Sequence, residues 1–436
     1  MSTKFQRRPL RRRLAGLALA TMLLTVSACG GSDGGGSDGD QVTLRFSWWG
    51  SDTRHQATQK AIAAFEASHP NIKIKGEFGE WSGYWDKLAT TVAANDAPDV
   101  IQMDEKYLRE YADRGALLDF KKDNAVDTSK MEPTALGAGE FSGGLFGITA
   151  GINSFALMAN PQMFKSLGIA MPDDKTWTWD QYADLSAQLT AKSGGKFHGS
   201  GIASNEAGVA VWARQNGEAL FTPDGKIGVK PETVANYFKF LEKLRDSKAI
   251  PSAAINAQNM TIPIEQNYMV TKKQALGYTW SNQVAAMSKA AGQEFQLLRM
   301  PSVTGKAADN GAYYKASMFW SVSARSKHPK EASEFVNFLA NSKEAAEAML
   351  SERGVPPNTE LRALVTPKLN PTETSVVKFI EAIQPELREA PAPPPVGGGN
   401  VEKMVQRYTT EVLFDRLSPE DASAQFLKEL EGQINK

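Results

Sequence analysis

Between residues 42 and 103 apolar positions recur first at every second residue, then at every third or fourth, then at every second again. Val42 to Trp48 reads Val-Thr-Leu-Arg-Phe-Ser-Trp, an alternation that predicts a strand ending in Trp48-Trp49-Gly50-Ser51-Asp52. Arg54 to Ser68 puts Ala57, Ala61, Ala64 and Phe65 on one helical face, and His69-Pro70 stops it. Ile72 to Lys75 is a second short strand, Trp81 to Ala94 a second helix, and Val100 to Met103 a third strand that runs into Asp104-Glu105. Strand, helix, strand, helix, strand predicts an α/β unit with a mostly parallel sheet covered on both sides. Ligands of such sheets sit beyond the carboxyl ends of the strands. Order alone therefore places Trp48, Trp49 and Asp104 near a site.

The remaining pattern extends the α/β character. Tyr107 to Gly115 reads as a helix and Phe146 to Asn160 as one long buried extended stretch. Helices are expected over Pro161 to Leu167, Asp180 to Ala191, around Trp212, and over Pro231 to Lys248. Ile264 to Lys273 is helix-like. The strand Gln274 to Tyr278 ends in Thr279-Trp280-Ser281-Asn282, and Phe295 to Met300 and Met318 to Val322 are further strands. Amphipathic helices are expected over Pro329 to Leu339, Ser342 to Leu350, Val401 to Leu413 and Pro419 to Ile434, with a Pro/Gly-rich run at Pro391 to Gly399. No solenoid period is present.

The first 40 residues follow a different rule. Lys4, Arg7, Arg8, Arg11, Arg12 and Arg13 precede an apolar segment from Leu14 to Val26, with no acid before Asp33. That order predicts an export signal over residues 1–28. Its apolar part, about 13 residues, is shorter than the ~20 that span a bilayer. Val26-Ser27-Ala28-Cys29 resembles the lipobox of bacterial lipoproteins, which implies lipidation of Cys29, the single cysteine of the chain. Arg7-Arg8 is only a fragment of a twin-arginine motif. Residues 29–41 are Gly/Ser/Asp-rich and read as a solvated tether. The expected place is the extracytoplasmic face of the bacterial cell membrane, held by acyl chains.

Removing the leader leaves about 408 residues, enough for two lobes. It also leaves 43 basic against 49 acidic groups, a net of −6. A mildly acidic body argues against nucleic acid and against adhesion to anionic lipid. Catalytic motifs are missing. None of His55, His69, His198 and His328 pairs with another at metal-ligand spacing, and there is no HExxH, GxSxG or GxxxxGK. Asp104-Glu105 is a carboxylate pair, but adjacent residues usually point apart. No enzyme, cofactor or metal is expected.

What remains is a pattern for an uncharged, hydroxyl-rich ligand. A sugar face stacks on an indole while its hydroxyls need paired donors and acceptors. Trp48, Trp49, Trp212 and Trp280 supply faces. Glu80, Asp104, Asn282 and Arg353 supply polar edges. Large aromatics are also core residues. Trp177 and Trp179 flank a helix start and are read as packing. Trp48 and Trp49 face opposite ways, so one of them should be buried. Asp104 either caps the next helix or meets ligand. Arg353 either joins the lobes or meets ligand.

The order of pieces resembles the maltose-binding type of extracellular solute-binding proteins, family-1 sugar-binding lipoproteins of ABC importers. Cys29 in its lipobox, Phe65 to Ile74, Ala97 to Asp104, Thr176 to Tyr182, Phe319 to Leu339 and Arg353 to Asn358 carry the likeness, which spans Val42 to Lys436. It implies a two-lobe periplasmic-binding-protein-like fold with hinge crossovers and ligand in the interlobe cleft. The expected lobes are 42–148 with 302–354, and 149–301 with 355–436. Crossovers are expected near Phe146 to Ile152, Arg299 to Ser302 and Gly354 to Asn358. It further implies a monomer that passes a carbohydrate to membrane permease subunits. Tyr314, within Gly311 to Tyr314, joins the ligand-binding candidates by the same likeness. Gly397 to Asn400 offers no aromatic where some relatives have one. Alternatives are a binder of a polyol, glycerol phosphate, peptide or ferric ion (for which Tyr313-Tyr314 would serve), a lipid-anchored carbohydrate-active enzyme, or an adhesin.

Overall fold

In the computed structural model the chain is described over residues 41–203, 205–260 and 262–434. The expected leader, most of the tether and Cys29 lie outside the described residues. The chain opens with strand β1 (Val42–Trp49), helix α1 (Asp52–Ser68), β2 (Ile72–Gly79), α2 (Trp81–Ala93), β3 (Val100–Met103) and α3 (Glu105–Asp113). Three short strands follow, β4 (Ile148–Thr149), β5 (Ile152–Asn153) and β6 (Phe155–Ala159). After them come α4 (Trp179–Lys192), α5 (Glu206–Gln215), α6 (Pro231–Asp246), β7 (Leu276–Trp280) and β8 (Gln296–Leu298). Strands β9 (Lys315–Ala316) and β10 (Phe319–Val322) lead into α7 (Pro329–Asn341) and α8 (Lys343–Met349). The chain then runs through α9 (Thr359–Val365), α10 (Pro371–Ile383), α11 (Val401–Leu413) and α12 (Pro419–Ile434). No helix among the described residues is long and apolar enough to cross a membrane.

Two larger sheets take most of these strands, and β5 pairs with β9 in a small antiparallel sheet of its own. The first has the order β2-β1-β3-β10-β4, with β1 parallel to β2 and β3, and β10 antiparallel to β3 and β4. The second is β8-β6-β7, antiparallel throughout. The alternation of β1 buries both faces. Leu44, Phe46 and Trp48 enter a core with Phe65 of α1 and Phe335 of α7. Trp49 enters the opposite core with Tyr84 and Trp85 of α2 and Leu108 of α3. Phe46 and Phe335 meet edge to face at 5.4 Å, and each such buried side chain contributes about 1.5–3 kcal/mol. The second sheet packs against a core in which Tyr182, Phe238, Leu241, Tyr408 and Phe426 knit α4, α6, α11 and α12. Thr178 starts α4 through a capping box with Gln181.

The stretch 146–160 is not one strand, because it crosses from one sheet to the other. Residues 148–149 bond to β10, 152–153 to β9, and 155–159 join the second sheet. Three crossovers lie side by side: β5, β9 and the turn at Val355, whose N–H and C=O both pair with Ile152. Gly354 turns there with φ +98°, and a Cβ would stand 2.7 Å from the Ile152 carbonyl, so any side chain is strained.

Three expected boundaries move. The second crossover is at 315–316, not at Arg299 to Ser302. Ser302 N–H still donates to the Trp177 carbonyl, and Gln215 Nε2 donates to the Pro301 and Asn310 carbonyls, which ties 302–312 to α4 and α5. The segment 358–362 turns back to residues 130–132, through Thr359 N–H to the Lys130 carbonyl and Arg362 to Glu132 at 2.7 Å, although it was expected beside the second sheet. The helix-like reading of Ile264 to Lys273 resolves into two separate turns, Ile264–Gln266 and a second one that starts at Asn267, whose side chain takes the Met269 N–H and whose carbonyl takes the Thr271 N–H.

Candidate ligand-binding cleft

A cleft of about 1720 Å³ opens between two groups of elements. One wall is built by the end of β1, the start of α1, and α2 with α3; the other by Met260 with 262–265, by Asn282-Gln283 after β7, and by residues 396–406. On the first wall Trp49, Trp81, Trp85, Tyr107 and Tyr111 line the space. Trp81 and Trp85 are one turn apart on α2, and Tyr107 and Tyr111 one turn apart on α3, so each helix presents an aromatic stripe. The rings are held by one another. Trp49 meets Trp81 edge-on at 5.1 Å, and Trp85 meets Tyr107 at 4.1 Å. Amide side chains of Asn282, Gln283, Asn400 and Gln406 line the opposite wall. Indole faces with amides across from them suit a ligand that has flat apolar faces and many hydroxyls.

Ion pairs lie beneath. Lys106, on α3, sends its ammonium to Glu402 of α11 at 2.7 Å and to Glu206 of α5 at 3.1 Å. Lys315, on the crossover β9, meets Asp104 at 3.2 Å and Glu105 at 3.8 Å. Burial alone would lower the Lys106 ammonium, but the surrounding carboxylates hold it well above its ordinary value. Burial would raise Asp104; Lys315 and Lys106 outweigh it and hold that carboxyl low. Glu105 is pushed up to about 7, chiefly by burial and then by its acidic neighbours against the pull of Lys315. Glu402 is raised as well, by burial first and by the neighbouring Glu206 carboxylate, against the pull of Lys106. Gly399 closes this junction: a Cβ there would stand 2.8 Å from the Tyr107 ring, so a larger residue pushes that ring aside.

The residues singled out from sequence divide. Trp49, Glu80 and Asn282 line the cleft. The others do not. Trp48 is wholly buried and donates its indole N–H to His55, since its strand face points away from Trp49. Asp104 is buried; it accepts the Lys106 N–H as the N-cap of α3 and takes the Lys315 ammonium. Trp280 packs on Phe155 under the Lys315 ammonium, 5.1 Å from its ring, and does not line the cleft. Trp212 packs among Trp179, Tyr237 and Phe240. Tyr314 donates its hydroxyl to the Ile380 carbonyl. Arg353 is 2 % exposed, held by Gln102 and Thr58 over the Trp320 ring, and its guanidinium is pulled down to about 9 with burial the largest cause. Arg353 thus ties β3 to α1 within one lobe. Sequence reasoning missed Trp81, Trp85, Tyr107, Tyr111 and Lys106. The one-turn spacing of aromatics on α2 and α3 was the available signal.

Comparisons with known proteins agree with this architecture. A family model described as bacterial extracellular solute-binding protein matches residues 60–372. An uncharacterized lipoprotein of Streptomyces antibioticus is 25% identical over 393 residues, covering 86% of this chain and 82% of its own. A periplasmic oligogalacturonide binding protein of Yersinia enterocolitica, solved with saturated digalacturonic acid, superposes with a TM-score of 0.80 at 22% identity, covering 90% of this chain and 99% of that one. An ABC substrate-binding protein of Listeria monocytogenes, solved with cycloalternan, gives 0.77 at 22% identity over 91% of this chain and 100% of its own. Those two likenesses show the two-lobe fold.

Proposed function

Because the chain belongs to the bacterial extracellular solute-binding protein family, we propose that it captures a sugar or oligosaccharide in the cleft and hands it to the permease subunits of an ABC importer, while acyl chains on Cys29 hold it at the outer face of the cell membrane. The observation that carries the sugar reading is the pairing of an aromatic wall, Trp49, Trp81, Trp85 and Tyr107, with the amides of Asn282, Gln283 and Asn400 across about 1720 Å³. That space exceeds the usual range for a drug-sized ligand, roughly 300–1,000 Å³, and suits more than one sugar ring. The glycans bound by the two structural neighbours support the same reading, and the lipoprotein relative supports the anchor.

No chemical step is needed. The crossovers at β5, β9 and Val355 are few and adjacent, which suits a hinge. A ligand that touches both walls favours the closed arrangement only through contacts the open one lacks. The test is a thermal-shift screen of the mature protein against mono-, di- and oligosaccharides. A binder of the native state raises the melting temperature, by an amount that grows with ligand concentration. If no sugar shifts it while a polyol, peptide or metal ion does, the sugar reading is wrong.

A further inference from the structure

The charge of the cleft is lopsided. Seven carboxylates line it against three cations, Arg54, Arg114 and Lys403. Arg54 is committed to Glu352 at 2.9 Å and Arg114 to Glu110 at 2.8 Å, while Glu402 is committed to Lys106. Four acids remain, Asp52, Glu80 and Asp86 on one wall and Glu265 on the other, all exposed and with no ion-pair partner among the described residues. Only Lys403 offsets them. The ion pairs beneath supply nothing against them, since Lys106 and Lys315 serve Asp104, Glu105, Glu206 and Glu402 and leave no ammonium for an outside anion. The Trp81 ring already holds the Lys106 ammonium, 5.3 Å from its centroid, so a cationic ligand would meet the cleft's acids and not that face.

We propose that the cleft selects glycans by charge: it rejects those bearing carboxylate, sulfate or phosphate, and it prefers one bearing a free ammonium, an amino sugar, over the neutral counterpart. Asp52, Glu80, Asp86 and Glu265 set that preference. The inference rests on the cleft being a glycan site, and it separates this chain from the neighbour solved with digalacturonic acid. Three excess charges acting through water at about 10 Å give a preference of roughly tenfold at low salt, which fades once the Debye length falls to ~3 Å in molar salt.

The test uses glycans of one linkage in three forms, with an amino group, a hydroxyl or a uronate carboxylate, titrated calorimetrically into the mature protein at 20 mM and 500 mM salt. The same titrations are run on the Asp52→Asn, Glu80→Gln, Asp86→Asn, Glu265→Gln variant. The expected order at low salt is amino, neutral, uronate, roughly tenfold apart, converging at high salt and in the variant. Tightest binding of the uronate, or an order unmoved by salt, overturns the proposal. Should the variant fold poorly, the salt dependence of the unaltered protein decides alone. Binding of every form with equal affinity leaves the glycan site standing and removes its charge selection. Binding of no glycan of any charge removes the glycan site itself, and the selection with it.

Discussion

Lys106→Met is the sharpest perturbation the structure offers. The Lys106 ammonium lies 2.7 Å from Glu402 and 3.1 Å from Glu206, and its side chain is 12 % exposed. It comes from α3, beside the first sheet, while both carboxylates come from helices beside the second. Stripping one partner from a buried ion pair costs about 3–5 kcal/mol when the remaining charges must stay buried. Here they need not stay buried. If the walls part, Glu206 and Glu402 reach water, so the cost falls on closure and not on folding, and some of it is recovered. A net of about 2–3 kcal/mol then moves the balance between closed and open forms by roughly 30- to 150-fold, at ~1.4 kcal/mol per decade. Small-angle scattering of the ligand-free variant should show a larger radius of gyration than the unaltered protein, sugar affinity should fall, and the melting temperature should move by only a few degrees. An unchanged radius together with a large loss of melting temperature would show that the bridge is a static support, and the reasoning would fail.

Other predictions are direct. Trp81→Ala should weaken sugar binding more than tenfold in calorimetry with little change in melting temperature, because its ring lines the cleft and is only partly buried. Trp48→Ala should instead cost about 3–5 kcal/mol in urea unfolding, with the affinity of the folded fraction unchanged, since that ring is core. Glu105, raised to about 7 from 4.5, binds its proton more tightly when folded, so its contribution is fully present below pH 4.5 and is lost as pH rises through 7. Glu105→Gln should therefore stabilise the protein by about 3 kcal/mol at pH 8 and hardly at pH 4, as read by denaturant titration at each pH.

The first sheet was legible because its strands and helices carry their periods and stop signals locally. β3, α11 and α12 span the residues the pattern assigned them. The periodicity did not show the crossovers, because a strand that changes partners every two residues looks like one long strand; the family likeness placed those at Ile152 and Val355 and missed the one at Lys315–Ala316. The second sheet shows the same limit: Trp280 ends β7 only because β6 pairs Phe155 opposite it. The site divided along that line too. Trp49, Glu80 and Asn282 stand at the ends or starts of elements, where chain order alone points toward a ligand. Trp81, Trp85, Tyr107 and Tyr111 sit on helical faces that read as core, and only the placement of the opposite wall leaves them lining a cleft. Asp104 and Lys315 are 211 residues apart, and nothing local announces that they neutralise each other.

The central claim is that a glycan is gripped between the indole wall and the amide wall. The measurement closest to it is a crystal structure of the mature protein grown with whichever sugar raises its melting temperature most. The account predicts sugar density stacked on Trp81 or Trp85 and bonded across to Asn282, Gln283 or Asn400. An empty cleft, or sugar bound anywhere that touches one wall alone, would contradict it.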